Sequence, residues 1–136
     1  MQVKIDTREK FTVITPDTDV LSDNLTADLS SVIVQYLQNN PKNVVLNLKN
    51  VSAVDASAVE RLVTLQQQFY ESSASFVICE IENNLEKKLD ELGLLELMNV
   101  TPTESEAWDI VQMEEIEREL LDGDDMDFNA MDGDKD

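Results

Sequence analysis

The chain has 136 residues, a single cysteine, no histidine and a formal net charge of -19. That length suits one domain burying about two-thirds of its unfolded surface, with no need of a disulfide or metal staple. The charge argues against nucleic acid and anionic membranes as partners, since both are held by lysine and arginine, and the missing histidine removes the Ser-His and Cys-His catalytic pairs and the commonest metal ligand.

Val3-Lys-Ile5 and Phe11-Thr-Val-Ile-Thr15 alternate apolar and polar residues and read as two short strands, with Pro16 ending the second. Ser22 is placed to cap a first helix whose Leu25, Leu29, Val32, Ile33 and Leu37 share one face, and Asn39-Asn-Pro41 stops it. Val44-Val-Leu-Asn-Leu48 is apolar enough for a central strand covered on both faces. A second helix follows from about Ala58 to Tyr70, with Val59, Leu62, Val63 and Phe69 inward.

Ser75-Phe-Val-Ile-Cys-Glu-Ile81 is a fourth strand, with Cys79 as a core residue. A third helix capped by Asn83 carries Leu85 and Leu89 and closes at Gly93, and Leu97-Met-Asn-Val100 is a last strand. Thr103-Glu-Ser-Glu106 has the form of a capping box and opens a fourth helix. The apolar phase of that helix then changes: Ala107, Ile110 and Val111 form one stripe, and Met113, Ile116 and Leu120 form another on a different side. From Asp122 onward seven aspartates stand against one lysine, a composition that reads as a disordered tail.

Strands alternating with helices predict an α/β domain: a small mixed, largely parallel sheet of four to five strands with about four helices. Residues 1–112 form the domain, 113–121 a helical extension and 122–136 the acidic tail. No segment approaches the ~20 apolar residues of a membrane span. The N-terminus has no basic stretch followed by an apolar run, so no secretory signal is read there, and a cytoplasmic setting is expected. The glycines at 93, 123 and 133 make no phosphate-cradling loop, and catalysis has little support.

The most informative stretch is the central strand together with Val54-Asp55-Ala56-Ser57-Ala58, the loop and helix start beyond it. It places a small polar loop at the mouth of a sheet and at a helix N-terminus, a position suited to an anion or a partner's contact. With the order of elements and Gly93-Leu-Leu95, these residues resemble the STAS domain of bacterial anti-sigma-factor antagonists over roughly residues 1 to 112. The resemblance implies a non-catalytic binding module without cofactor or metal. Its partner would be an anti-sigma factor or related serine kinase, and its output transcriptional regulation.

In that family the loop typically reads Asp-Ser-Ser/Thr-Gly, and the first serine is phosphorylated. By position Asp55 matches the aspartate, Ala56 stands at the phosphorylated serine, Ser57 matches the second Ser/Thr and Ala58 the glycine. Alanine has no hydroxyl, so either Ser57 takes the phosphate or this loop is not phosphorylated. Glu60 and Arg61 also depart from the small or aliphatic residues usual there.

Plainer readings stand beside these. Ser57-Ala-Val-Glu60 is itself a capping-box pattern, and an N-cap role for Ser57 is preferred. Asp55 is equally a turn residue. Asp17, Asp19 and Ser22 lie on the loop that neighbours the switch loop in the family, and are read first as a solvated turn and a cap. Asp125-Met-Asp127-Phe-Asn129 begins a calcium-loop pattern but has Ala130 and Asp136 where glycine and glutamate are needed, so a solvated tail is preferred. Met113, Ile116 and Leu120 are a candidate contact for a partner or for a homodimer. The alternative to the antagonist reading is a STAS-like structural or adaptor subunit of a larger complex, contacting it through that stripe.

Overall fold

The computed structural model describes residues 2–127. Strands β1 (Gln2–Thr7), β2 (Phe11–Asp17), β4 (Asn43–Asn47), β6 (Phe76–Cys79) and β7 (Val100–Thr101) form a five-stranded sheet in the order β1-β2-β4-β6-β7. β1 pairs antiparallel with β2, and every other neighbour in the sheet is parallel. A separate two-strand ladder joins β3 (Val20–Leu21) to β5 (Ala53–Val54) in parallel. Helices α1 (Asp23–Val34), α2 (Ala56–Glu71), α3 (Asn83–Glu91) and α4 (Glu104–Asp127) complete the domain, with short 3₁₀ turns at Gln35–Gln38 and Leu95–Leu97.

The apolar strands are explained by cover on both faces. Successive strand residues point to opposite sides. Ile14, Val44, Leu46, Phe76 and Ile78 therefore enter one core with Leu29 and Ile33 of α1, Leu62, Leu65 and Phe69 of α2, and Leu85 and Leu89 of α3. The intervening Phe11, Val13, Val45, Val77 and Cys79 enter a second core, closed by Ala107 and Val111 of α4. Phe69 and Phe76 meet in the larger core with ring centroids 5.4 Å apart and their planes tilted by 42°. Burial pushes the Cys79 thiol up to about 12, with smaller help from Glu80 and Glu104, so it packs as an apolar residue and not as a nucleophile.

The central strand, the α/β class and the inward stripe of α4 agree with the sequence expectations. Several boundaries differ for local reasons. β2 runs past Pro16 to Asp17, because its parallel ladder with β4 ends at Ile14 and the missing proline N–H is not needed there. The last strand is Val100–Thr101, while Leu97 closes a 3₁₀ turn. Glu82, not Asn83, is the N-cap of α3.

Gly93 does close α3: its φ of +72° lets Leu94 N–H reach Leu89 C=O at 3.1 Å and Gly93 N–H reach Asp90 C=O at 3.0 Å, the paired bonds of a Schellman end. The α4 backbone continues to Asp127, so the acidic segment begins helical where disorder was expected from Asp122. The rest of that segment, with most of the calcium-loop pattern, lies outside the described residues.

Candidate functional site

Each of the four helices follows a parallel strand and so begins at the carboxyl edge of the strands, the side where open α/β sheets bind ligands. The corner between β4 and α2 is built there. After β4, Val51 N–H closes a turn on Leu48 C=O at 3.0 Å, with Asn47 Oδ1 accepting from Lys49 N–H at 3.0 Å. The chain then runs out through β5 and turns at Asp55.

Asp55 is extended, with φ -68° and ψ 151°. Its N–H donates to Leu21 C=O at 3.1 Å, and its C=O accepts from Val59 N–H at 3.0 Å. Asp55 is therefore the N-cap of α2, and Ser57 lies inside the first turn. The expected cap role of Ser57 is overturned, and α2 starts at Ala56, ahead of the Ala58 expected. The Asp55 side chain makes no capping hydrogen bond. The first-turn N–H groups have no partner within a helix, and Asp55, Ala56 and Ser57 are all exposed around them. Ala58 is fully buried in the core and presents nothing to a partner.

The structure brings the second expected loop alongside. Asp19 C=O accepts Ser52 N–H at 2.8 Å and Ala53 N–H at 3.2 Å, and the Ser52 hydroxyl donates to it at 3.2 Å. Asp17 and Asp19 are exposed, as is Val20 at the same edge. Ser22 is the N-cap of α1: its Oγ accepts from Leu25 N–H at 3.2 Å, the structural role read for it.

An ion pair that sequence reading did not find ties the two helix starts together. Arg61 Nε donates to Asp23 Oδ1 at 2.7 Å and Arg61 Nη2 to Asp23 Oδ2 at 3.3 Å. The Arg61 guanidinium holds the Asp23 carboxyl below its usual range against partial desolvation, with weaker help from the Ser57 hydroxyl. Asp23 in turn raises Arg61. The signals were present in the sequence: an aspartate in the first turn of one helix, and an arginine one turn beyond Ser57 on the next. Their pairing depends on how α1 and α2 pack.

Met113, Ile116 and Leu120 do not join this corner; they lie on the outward side of α4 and are exposed. Among the described residues no three His, Cys, Asp or Glu side chains converge on a metal position, and no helix is long and apolar enough to cross a membrane.

A largely parallel sheet with helices on both faces, carrying an exposed polar corner at the start of its second helix, defines a small α/β domain. The STAS domain model matches residues 2–107, and the chain belongs to the STAS domain family.

Its fold is similar to that of a putative anti-sigma factor antagonist from Thermotoga maritima, with TM-score 0.72 and 16% identity over 81% of this chain and 94% of that one. It is also similar to the Bacillus cell fate determinant SpoIIAA in the phosphorylated form, with TM-score 0.59 and 18% identity over 81% and 99% of the two chains. The murine anion transporter Slc26a9 in the inward-facing state matches with TM-score 0.66 and 16% identity over 79% of this chain and 18% of the transporter. No curated protein matches the chain in sequence.

Proposed function

We propose that the chain is a non-catalytic, cytoplasmic binding module of the anti-sigma-antagonist type, which regulates transcription by docking an anti-sigma factor or related serine kinase. The working surface is Asp55, Ala56 and Ser57 with the adjoining Asp17–Ser22 loop. The observation that carries this reading is the exposure of that corner at the start of α2 within a STAS fold. SpoIIAA, whose fold the chain shares, exists in an unphosphorylated and a phosphorylated form, and this motivates a phosphate-dependent reading of the corner. With Ala56 at the position of the family's phosphorylated serine, the phosphate goes to Ser57 or the module is unswitched.

A phosphate on Ser57 adds nearly two negative charges at a helix N-terminus, where the dipole and open amides stabilise it. It also places them one helical turn from Arg61. Phosphosite mapping of protein expressed in its native host tests this, together with affinity capture on the wild-type chain and on Ser57→Glu. The expected result is one phosphate, on Ser57, and a captured serine kinase that Ser57→Glu releases. A phosphate mapped elsewhere removes Ser57 from the mechanism.

A second reading is a domain supporting a larger assembly. It draws support from the match to part of the Slc26a9 chain. Capture of membrane-complex subunits in place of a kinase, unaffected by Ser57→Glu, favours it.

A further inference from the structure

We infer that the outward face of α4 is a docking strip for a basic amphipathic helix of a partner protein. This surface is on a different element from the α2 corner and stands whichever reading of that corner holds.

The strip is apolar and open: Met113 is 57% exposed, Ile116 56% and Leu120 61%. At about 3.6 residues per turn these three lie nearly opposite Ala107 and Val111, which are fully buried against the sheet. Rotation of the helix cannot hide them, because polar bonds hold its inner side. Asn99 Nδ2 donates to Glu114 at 3.1 Å, Asn43 Nδ2 to Glu115 at 2.8 Å, and Arg118 Nη1 to Ser75 Oγ at 3.3 Å. Asn43 and Ser75 are themselves buried, so these anchors are fixed points of the fold.

The rim of the strip selects its occupant. Asp109 lies in line with the apolar residues, Glu106 and Glu117 flank one side, and Glu119 flanks the other; all four are exposed. Among the described residues none of the four makes an ion pair. From Glu104 to Leu121 the helix carries seven acidic side chains and one basic one, Arg118.

A second copy would press these same carboxylates together, and like charges across an interface cost several kcal/mol. An anionic lipid surface is repelled for the same reason. A helix with apolar positions at i, i+3 and i+7 between lysines or arginines matches both features: its side chains cover two turns of α4, about 10 Å, and its cations meet the rim.

The test uses the full chain and two synthetic peptides of one leucine-lysine composition, one ordered to give an apolar helical face and one scrambled to have none. Titration calorimetry compares the wild-type chain with the Met113→Ser, Ile116→Ser double variant, which keeps the charge. Circular dichroism confirms that the variant is folded, and sedimentation gives the oligomeric state of both chains. The ordered peptide is expected to bind the wild-type chain and to bind the variant at least about tenfold more weakly. The scrambled peptide is expected to show the same weak binding to both.

Absence of binding by the ordered peptide overturns the inference. So does equal binding of the two peptides or of the two chains, which reports charge alone. A wild-type dimer that the double variant converts to monomer overturns it in favour of self-association.

Discussion

Asp23 and Arg61 show how a local charge arrangement sets a pH response. Asp23 titrates below its ordinary range because the Arg61 guanidinium binds its ionised form. A folded-state pKa lower than the unfolded one adds stability above the unfolded value and loses it as pH falls through the folded one. Asp23→Asn removes that contribution. The variant is therefore expected to lose less stability than the wild-type chain on acidification from neutral pH to about pH 3, measured as the shift of the urea midpoint at each pH. Equal losses in the two proteins would mean that the pair is too well solvated to matter. The same pair bears on the Ser57 proposal, since a phosphate placed there would compete with Asp23 for Arg61.

The chain carries the pattern Ser/Thr-x-x-Glu at two helix starts and uses it once. At Thr103 the strand ends at Thr101, Pro102 follows, and Thr103 Oγ1 accepts the Glu106 N–H at 3.1 Å. At Ser57 the β3–β5 ladder fixes Asp55 in an extended conformation, and the helix begins before the serine can act. The two sequences are alike locally; the tertiary pairing just upstream separates them. Thr103→Ala is expected to destabilise the protein by about 1 kcal/mol, and Thr103→Ser by little, as read from denaturant midpoints at unchanged slope. Because α4 closes one face of the sheet, the loss should appear in the cooperative global transition and not as local fraying.

The net charge of -19 is large for a domain whose lysines and arginines number only 10. Self-repulsion among the surface carboxylates opposes compaction, and salt screens it. The melting temperature is expected to rise with added sodium chloride, measured by calorimetry, with the steepest gain at low ionic strength. A melting temperature that is flat or falls with salt would show that ion pairs such as Arg8 with Asp6 and Glu104 outweigh the repulsion.

Much of this architecture was legible in the order of residues because periodicity is a physical record of burial. The largely apolar Val44–Leu48 run meant cover on both faces, alternation at Val3–Ile5 and Phe11–Thr15 meant strands, and the stripe at Ala107, Ile110 and Val111 meant a helix face. The Asp55–Ser57 corner was legible as well, since a strand leading into a polar loop and a helix has few places to lie in a parallel sheet. The two-residue strands β3 and β5 were not, because so short a ladder leaves no period to detect. Nor were the cap at Asp55, the burial of Ala58 and the Asp23–Arg61 pair, which depend on elements far apart in the chain meeting at set angles. Local pattern reports which side of an element is buried; long-range packing selects the partner that buries it, and leaves Met113, Ile116 and Leu120 facing outward.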